Sequence, residues 1–214
     1  IEQYIMENST GNEVVVVDAL KSISSILDKT VCEGYHFLAT KTPKVFGQLY
    51  RKTNEEGVLT NLVNRFSSVF SQRLVPLMEE QNADIVISTH PFTTEMVSHL
   101  KSRGIVNIPL ICLMTDYGPH KAWIADHVDA YVVSTEDMIP EMQRMGVKKE
   151  LIHPFGIPVG DVFFTKADKP MLQKKFGIDA GVPTILIMAG SFGVTNIMNI
   201  YKDLIKLPAE FQII

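Results

Sequence analysis

Short apolar runs, each leading into a stretch of helical periodicity, recur along this sequence and constrain its fold more than any other feature. Residues 84–88, 109–114, 130–133 and 184–188 read as strands. So do the consecutive valines Val14, Val15, Val16 and Val17, and the short pair Leu151 and Ile152. Such runs lack polar alternation, which is the pattern of parallel strands covered on both faces. Helical stretches follow at 93–103, stopped by Gly104, at 137–145, stopped by Gly146, and at 195–205. Thr93 or Thr94 is the expected cap of the first, and Pro140 falls near the start of the second, where proline is tolerated. Leu59, Leu62, Val63, Phe66, Phe70, Leu74 and Leu77 mark one stripe of a long amphipathic helix. Strands alternating with helices imply an α/β fold, a Rossmann-like parallel sheet with helices on both faces. Ligands of such folds sit at the carboxyl ends of the strands, so each loop after a strand is a candidate site.

Residues 1–160 read as one Rossmann-like domain, 161–182 as an interdomain segment, and 183–214 as the first elements of a second Rossmann-like domain. Pro158, Pro170 and Pro183 mark the junction. Ile1, Tyr4 and Ile5 keep helical spacing from the first residue, and Phe211, Gln212, Ile213 and Ile214 read as an unfinished strand. Both ends are therefore expected to continue in a longer protein.

With 46% hydrophobic and 21% charged residues, the chain is a folded one. Its net charge of −4 argues against a nucleic-acid partner, which needs a broad basic surface. Cys32 and Cys112 are too far apart for a disulfide framework or a metal-ligand spacing. Together with the lack of a secretory signal or of an apolar stretch of about 20 residues, this places the chain in a reducing compartment, the cytoplasm.

Several loops carry residues with chemistry. Asp116, His120, Lys121 and the only tryptophan, Trp123, crowd the loop after the strand ending at Met114. Histidine exchanges protons near neutral pH, and tryptophan offers a large apolar face with one N–H donor, suited to a sugar, a glycerol or a lipid tail. The plain alternative is a loop histidine and a tryptophan at the edge of the core. His90, before Pro91, also follows a strand and either shares that cleft or serves structure alone. Gly156 and Pro158 form a turn or hinge lining a cleft. Gly190, Ser191, Phe192 and Gly193 lie between a strand and a helix, where glycine backbone and helix N–H groups can approach a phosphate. A tight structural turn would look the same. Phe37 and Phe46 are interleaved with Lys41, Lys44, Arg51 and Lys52, a mix that suits an anionic membrane surface. Four basic residues contribute at most about 4 kcal/mol there. An amphipathic hairpin packed on the domain is the alternative.

Taken together, these motifs resemble the monogalactosyldiacylglycerol synthase and processive diacylglycerol glucosyltransferase family, within glycosyltransferase family 28. The resemblance rests on Thr115, Asp116, His120 and Trp123, on Gly156, Ile157, Pro158 and Val159, and on Gly190, Ser191, Phe192 and Gly193, in that order, and covers nearly the whole chain. It implies the GT-B arrangement, two Rossmann-like domains facing across a cleft. It implies inverting, metal-independent transfer of a hexose from UDP-glucose or UDP-galactose to diacylglycerol, with no cofactor beyond the UDP-sugar co-substrate. It also implies a peripheral place on the inner face of the cell membrane. Asp116, His120, Trp123 and His90 then fall on the acceptor side. Gly190, Ser191, Phe192, Gly193, Gly156 and Pro158 fall on the donor side, and Phe37, Lys41, Lys44, Phe46, Arg51 and Lys52 against the membrane. The family's general-base histidine is expected before Ile1, so neither His90 nor His120 is assigned that role. Two other readings remain: a transferase or epimerase of similar fold acting on a soluble nucleotide sugar, and a non-catalytic binding fragment.

Overall fold

The computed structural model describes residues 1–24, 29, 33–34, 37, 41–42, 69–188 and 197–214. The chain divides into two compact units, one drawing on Ile1–Gly34 and Lys44–Pro158, the other on Tyr35–Pro43 and Val159–Ile214.

The first unit is built on a four-stranded sheet of order β1-β2-β3-β4, with every pairing parallel. Its strands are β1 (Val86–Ser88), β2 (Leu110–Leu113), β3 (Ala130–Val132) and β4 (Ile152–His153). Ile87 pairs with Ile111, Cys112 with Tyr131, and Tyr131 with Ile152. Among the described residues, helices of this unit include α1 (Glu2–Asn8), α2 (Ala19–Ile23), α3 (Val75–Glu80), α4 (Pro91–Ser102) and α5 (Met138–Arg144). The expected α/β class and parallel sheet are therefore present.

Spacing decides which helix faces are covered. Met96, Val97 and Leu100 of α4 are buried, at intervals that return to one side of a helix. They join Leu110, Cys112 and Met114 around β2, Tyr131 and Val133 around β3, and Met138 and Met142 of α5 in one core. Each fully buried side chain of this size contributes about 1.5–3 kcal/mol by leaving water. At the opposite edge from the strand ends, Asp129 fixes the start of β2. Its carboxylate accepts the Leu110 N–H at 2.6 Å and pairs with Lys101 of α4. Partial burial pushes that carboxyl upward, but the Lys101 and Leu110 hydrogen bonds and the lysine charge hold it below the ordinary value.

Three local expectations change. The valine run 14–17 lies outside any helix or strand, no strand pairs with it among the described residues, and Val16 is 71% exposed. β-branched residues favour extended backbone, but a strand exists only where a neighbour supplies the ladder. Among the described residues β1 is an edge strand with Ile87 exposed, so it is not covered on both faces either. Finally, α4 starts at Pro91 and is capped by His90, not by Thr93 or Thr94. Proline is preorganised for the first helical position, which moves the start upstream. The upper half of the long amphipathic helix, including Leu59, Leu62, Val63 and Phe66, lies outside the described residues.

In the second unit, α6 (Lys169–Phe176) is capped by the Asp168 carboxylate on Met171 N–H. Strand β5 (Thr184–Ile185) precedes α7 (Ile197–Leu204) and pairs in parallel with β6 (Gln212–Ile213). The Gln212 amide group clips the preceding loop. It donates to the carbonyls of Asp179 and Val182 and accepts the Asp179 N–H.

Candidate functional site

The carboxyl ends of the four strands are Ser88, Leu113, Val132 and His153, side by side in the order of the sheet. After β1 the chain turns at His90, whose backbone is held from several directions. Its carbonyl accepts the Ser88 hydroxyl at 3.0 Å and the Thr94 N–H at 3.1 Å. The Thr94 hydroxyl lies 2.9 Å from Ser88 Oγ. Both hydroxyl residues are buried. Buried polar groups are costly unless satisfied, and both of these are satisfied by bonds that fix this one turn. The His90 imidazole Nδ1 accepts the Phe92 N–H at 3.3 Å, capping α4, and the two rings lie 5.2 Å apart. The residue surface remains accessible, yet enough protein surrounds the imidazole to lower its pKa. The carboxylate of Asp18, which caps α2 through Lys21 N–H, works against that shift.

The loop after β2 holds the closest functional contact. The Trp123 indole N–H donates to Asp116 Oδ2 at 2.8 Å. Trp123 is 5% exposed and belongs to the core, whereas Asp116 is exposed. The tryptophan therefore supports the carboxylate from beneath and does not present its face outward. His120 is also 5% exposed, and its Nδ1 accepts the Ala122 N–H at 3.1 Å, capping the 3₁₀ turn Lys121–Trp123. Just beyond, the Tyr131 hydroxyl accepts the Ala125 N–H and donates to the Ala125 carbonyl, both at 3.0 Å. Burial raises that phenol's pKa and keeps it protonated.

These two loops are joined from below. The turn Lys121–Trp123 packs on α4. A buried polar thread runs from Ser88 through Thr94 to Cys112 Sγ, 3.5 Å from Thr94 Oγ1, and on to the Trp123 carbonyl at 3.9 Å. Burial pushes the Cys112 thiol up to about 11, against the opposing Thr94 hydrogen bond. A thiol so held is not a nucleophile near neutral pH; its place is structural. On the other side, the Ser134 hydroxyl after β3 donates to the Asp116 carbonyl at 3.3 Å. After β4, Gly156 N–H donates to the Val133 carbonyl at 3.0 Å with a φ of 88°. That left-handed backbone favours glycine, which explains the residue type at the turn before Pro158.

His90, Asp116, His120, Trp123 and Gly156 thus sit in turns at one edge of one sheet. The glycine turn 190–193 lies outside the described residues, as do Lys44, Phe46, Arg51 and Lys52; Phe37 and Lys41 are exposed. Sequence reasoning missed three features. Asp18, which ends the valine run, acts on His90. Ser88 and Thr94 anchor the His90 turn. Tyr117, beside Asp116, is 80% exposed and is the aromatic that this loop offers to solvent. The first had a signal, an acid directly after a strand-like run. The other two depend on which way side chains face. Among the described residues, no group of three or more His, Cys, Asp or Glu is placed to hold a metal ion, and no helix is long and apolar enough to cross a membrane.

Residues 1–159 match the family model for monogalactosyldiacylglycerol (MGDG) synthase. The chain is 33% identical over 143 residues to the processive diacylglycerol beta-glucosyltransferase of Staphylococcus carnosus (strain TM300), covering 66% of this chain and 36% of that protein. It is 27% identical over 206 residues to the protein of the same name from Bacillus pumilus (strain SAFR-032), covering 96% and 53%. With that of Staphylococcus epidermidis (strain ATCC 12228 / FDA PCI 1200) it shares 35% identity over 124 residues, covering 58% and 31%. The chain spans about a third to about half the length of these curated relatives.

Proposed function

Because the chain belongs to the monogalactosyldiacylglycerol synthase family, we propose that it forms the acceptor side of a glycosyltransferase that moves a hexose from a UDP-sugar to diacylglycerol. The observation that supports this most is the Asp116 carboxylate held on the buried Trp123 indole, at the carboxyl edge of a parallel sheet and tied to the His90 turn. That is a rigid polar rim over an apolar base, suited to a lipid alcohol.

In this reading the free hydroxyl of diacylglycerol meets the loops at His90 and Asp116. Its oxygen attacks the anomeric carbon of the sugar from the face opposite the UDP. The bond to the leaving diphosphate breaks with its electron pair going to UDP, the hydroxyl proton passes to a base, and the configuration inverts. A positioned base contributes about 10²–10⁴-fold. Neither His90 nor His120 is assigned as that base. Asp116 has one carboxylate oxygen on the indole and the other without a protein partner among the described residues. That second oxygen accepts the acceptor hydroxyl as it binds and orients it, before the proton turns to the base. On the donor side, the resemblance assigns the backbone N–H groups of Gly190, Ser191, Phe192 and Gly193 to the diphosphate, and Gly156 and Pro158 to the same side. Preorganised donors of this kind stabilise developing charge without a metal ion. The enzyme works at the inner face of the cell membrane, held peripherally by Phe37, Lys41, Lys44, Phe46, Arg51 and Lys52.

The test is direct. Full-length protein incubated with diacylglycerol and either UDP-glucose or UDP-galactose is expected to yield a glycolipid with the anomeric configuration inverted. The absence of glycolipid from both donors, with a soluble sugar acceptor modified instead, would replace this reading by a soluble nucleotide-sugar transferase.

A further inference from the structure

Three histidines stand at the carboxyl edge of this sheet, and two of them, His90 and His120, accept a backbone N–H through Nδ1. His90 Nδ1 accepts the Phe92 N–H at 3.3 Å, and His120 Nδ1 accepts the Ala122 N–H at 3.1 Å. Each therefore caps the element it precedes, α4 in one case and the turn Lys121–Trp123 in the other. A neutral imidazole has one acceptor nitrogen and one N–H. With Nδ1 accepting, the proton must reside on Nε2 in both rings. In each ring a backbone N–H occupies the acceptor nitrogen.

We infer that the caps hold both rings with a proton on Nε2, and that His90 uses this N–H to position the acceptor hydroxyl rather than to remove its proton. The second half rests on the diacylglycerol reading above; the first does not. Caps are ordinarily Asn, Asp, Ser or Thr, any of which would serve α4 at least as well as an imidazole. A histidine adds a rigid N–H further from the backbone than a hydroxyl or carboxamide can reach. The support beneath it agrees with a positioning role. Buried Ser88 and Thr94 hold the His90 carbonyl, so the ring is carried by a turn that cannot drift. The Asp18 carboxylate favours the protonated ring and so opposes a neutral one, but burial outweighs it. Among the described residues, Nε2 of His90 has no hydrogen-bond partner of its own, which leaves that donor for a ligand.

Two measurements separate the two halves. Two-bond ¹H–¹⁵N spectra of the histidine-labelled 214-residue chain report the tautomers without any substrate. Both rings are expected as Nε2–H, and a proton on Nδ1 of His90 overturns the inference whatever the enzyme's substrate. The full-length enzyme carrying His90→Ser or His90→Asn keeps a capping side chain, so its melting temperature is expected to stay near wild type. The serine variant is expected to raise KM for diacylglycerol about 10-fold, the effect of one lost hydrogen bond of roughly 1.4 kcal/mol. The asparagine variant, which retains an N–H, recovers part of that loss. The acidic limb of the kcat/KM profile stays where it is in both. An unchanged KM in the serine variant would make His90 a cap and nothing more, and loss of the acidic limb would make it the base; either result overturns the positioning role. Wild-type enzyme that forms no glycolipid would remove the diacylglycerol reading while leaving the tautomer result intact.

Discussion

Replacing Trp123 by alanine is expected to destabilise the first unit by about 3–5 kcal/mol, the usual cost of removing a buried aromatic side chain from a core. In a chain of this size that lowers the melting temperature by roughly 10 °C. The ring is almost wholly buried and its turn packs on α4, so its removal leaves a cavity in the core. Trp123→Phe separates two contributions. It keeps most of the apolar contact and removes the N–H that holds Asp116, so its loss of stability is expected to be well under half that of the alanine variant. Thermal unfolding followed by circular dichroism reads both. Equal destabilisation by phenylalanine and alanine would mean that the hydrogen bond, not the ring, carries the stability.

Asp116→Asn is expected to do the reverse, leaving the fold alone and impairing turnover. The side-chain oxygen of asparagine still accepts the Trp123 indole N–H, so the melting temperature changes by no more than a few degrees. What is lost is the negative charge at the rim. Hydrogen bonds to charged groups are worth about 1.5–3 kcal/mol, so kcat/KM for diacylglycerol in the full-length enzyme is expected to fall about 10- to 100-fold. The loss concentrates in the acceptor, and KM for the UDP-sugar stays close to wild type. A variant with wild-type kcat/KM would remove Asp116 from the acceptor site, and a loss shared equally by both substrates would point to a change in the loop as a whole.

The two substitutions show what could be read from the sequence and what could not. The runs at 84–88, 109–114 and 130–133 identified β1, β2 and β3 because parallel strands are written as short apolar stretches, a local signal that needs no neighbour to interpret. The valines at 14–17 carry the same signal and form no strand, because pairing is a property of two segments and only one of them was in view. The carboxyl-edge position of Asp116, His120 and Trp123 followed from strand direction alone. Their orientation did not. Tryptophan in a short polar loop reads as an exposed platform, yet Trp123 points into the core and Tyr117 takes the exposed place. The cap at His90 was hidden for a similar reason. Thr93 and Thr94 look like better caps by residue type, but Pro91 sets the helix start, and Thr94 is needed inside, where its hydroxyl meets Ser88 and Cys112. In each case the residue type was informative and the direction of its side chain was decided by tertiary packing.

On this account the carboxyl edge of the four-stranded sheet receives the lipid alcohol. Photolysis of full-length enzyme with a diacylglycerol bearing a diazirine close to the glycerol, followed by peptide mass spectrometry, addresses that claim most directly. Adducts are expected within residues 89–92 and 115–123, and excess unmodified diacylglycerol should suppress them. Adducts confined to other segments, under conditions where the enzyme still makes glycolipid, would contradict the assignment of this edge as the acceptor site.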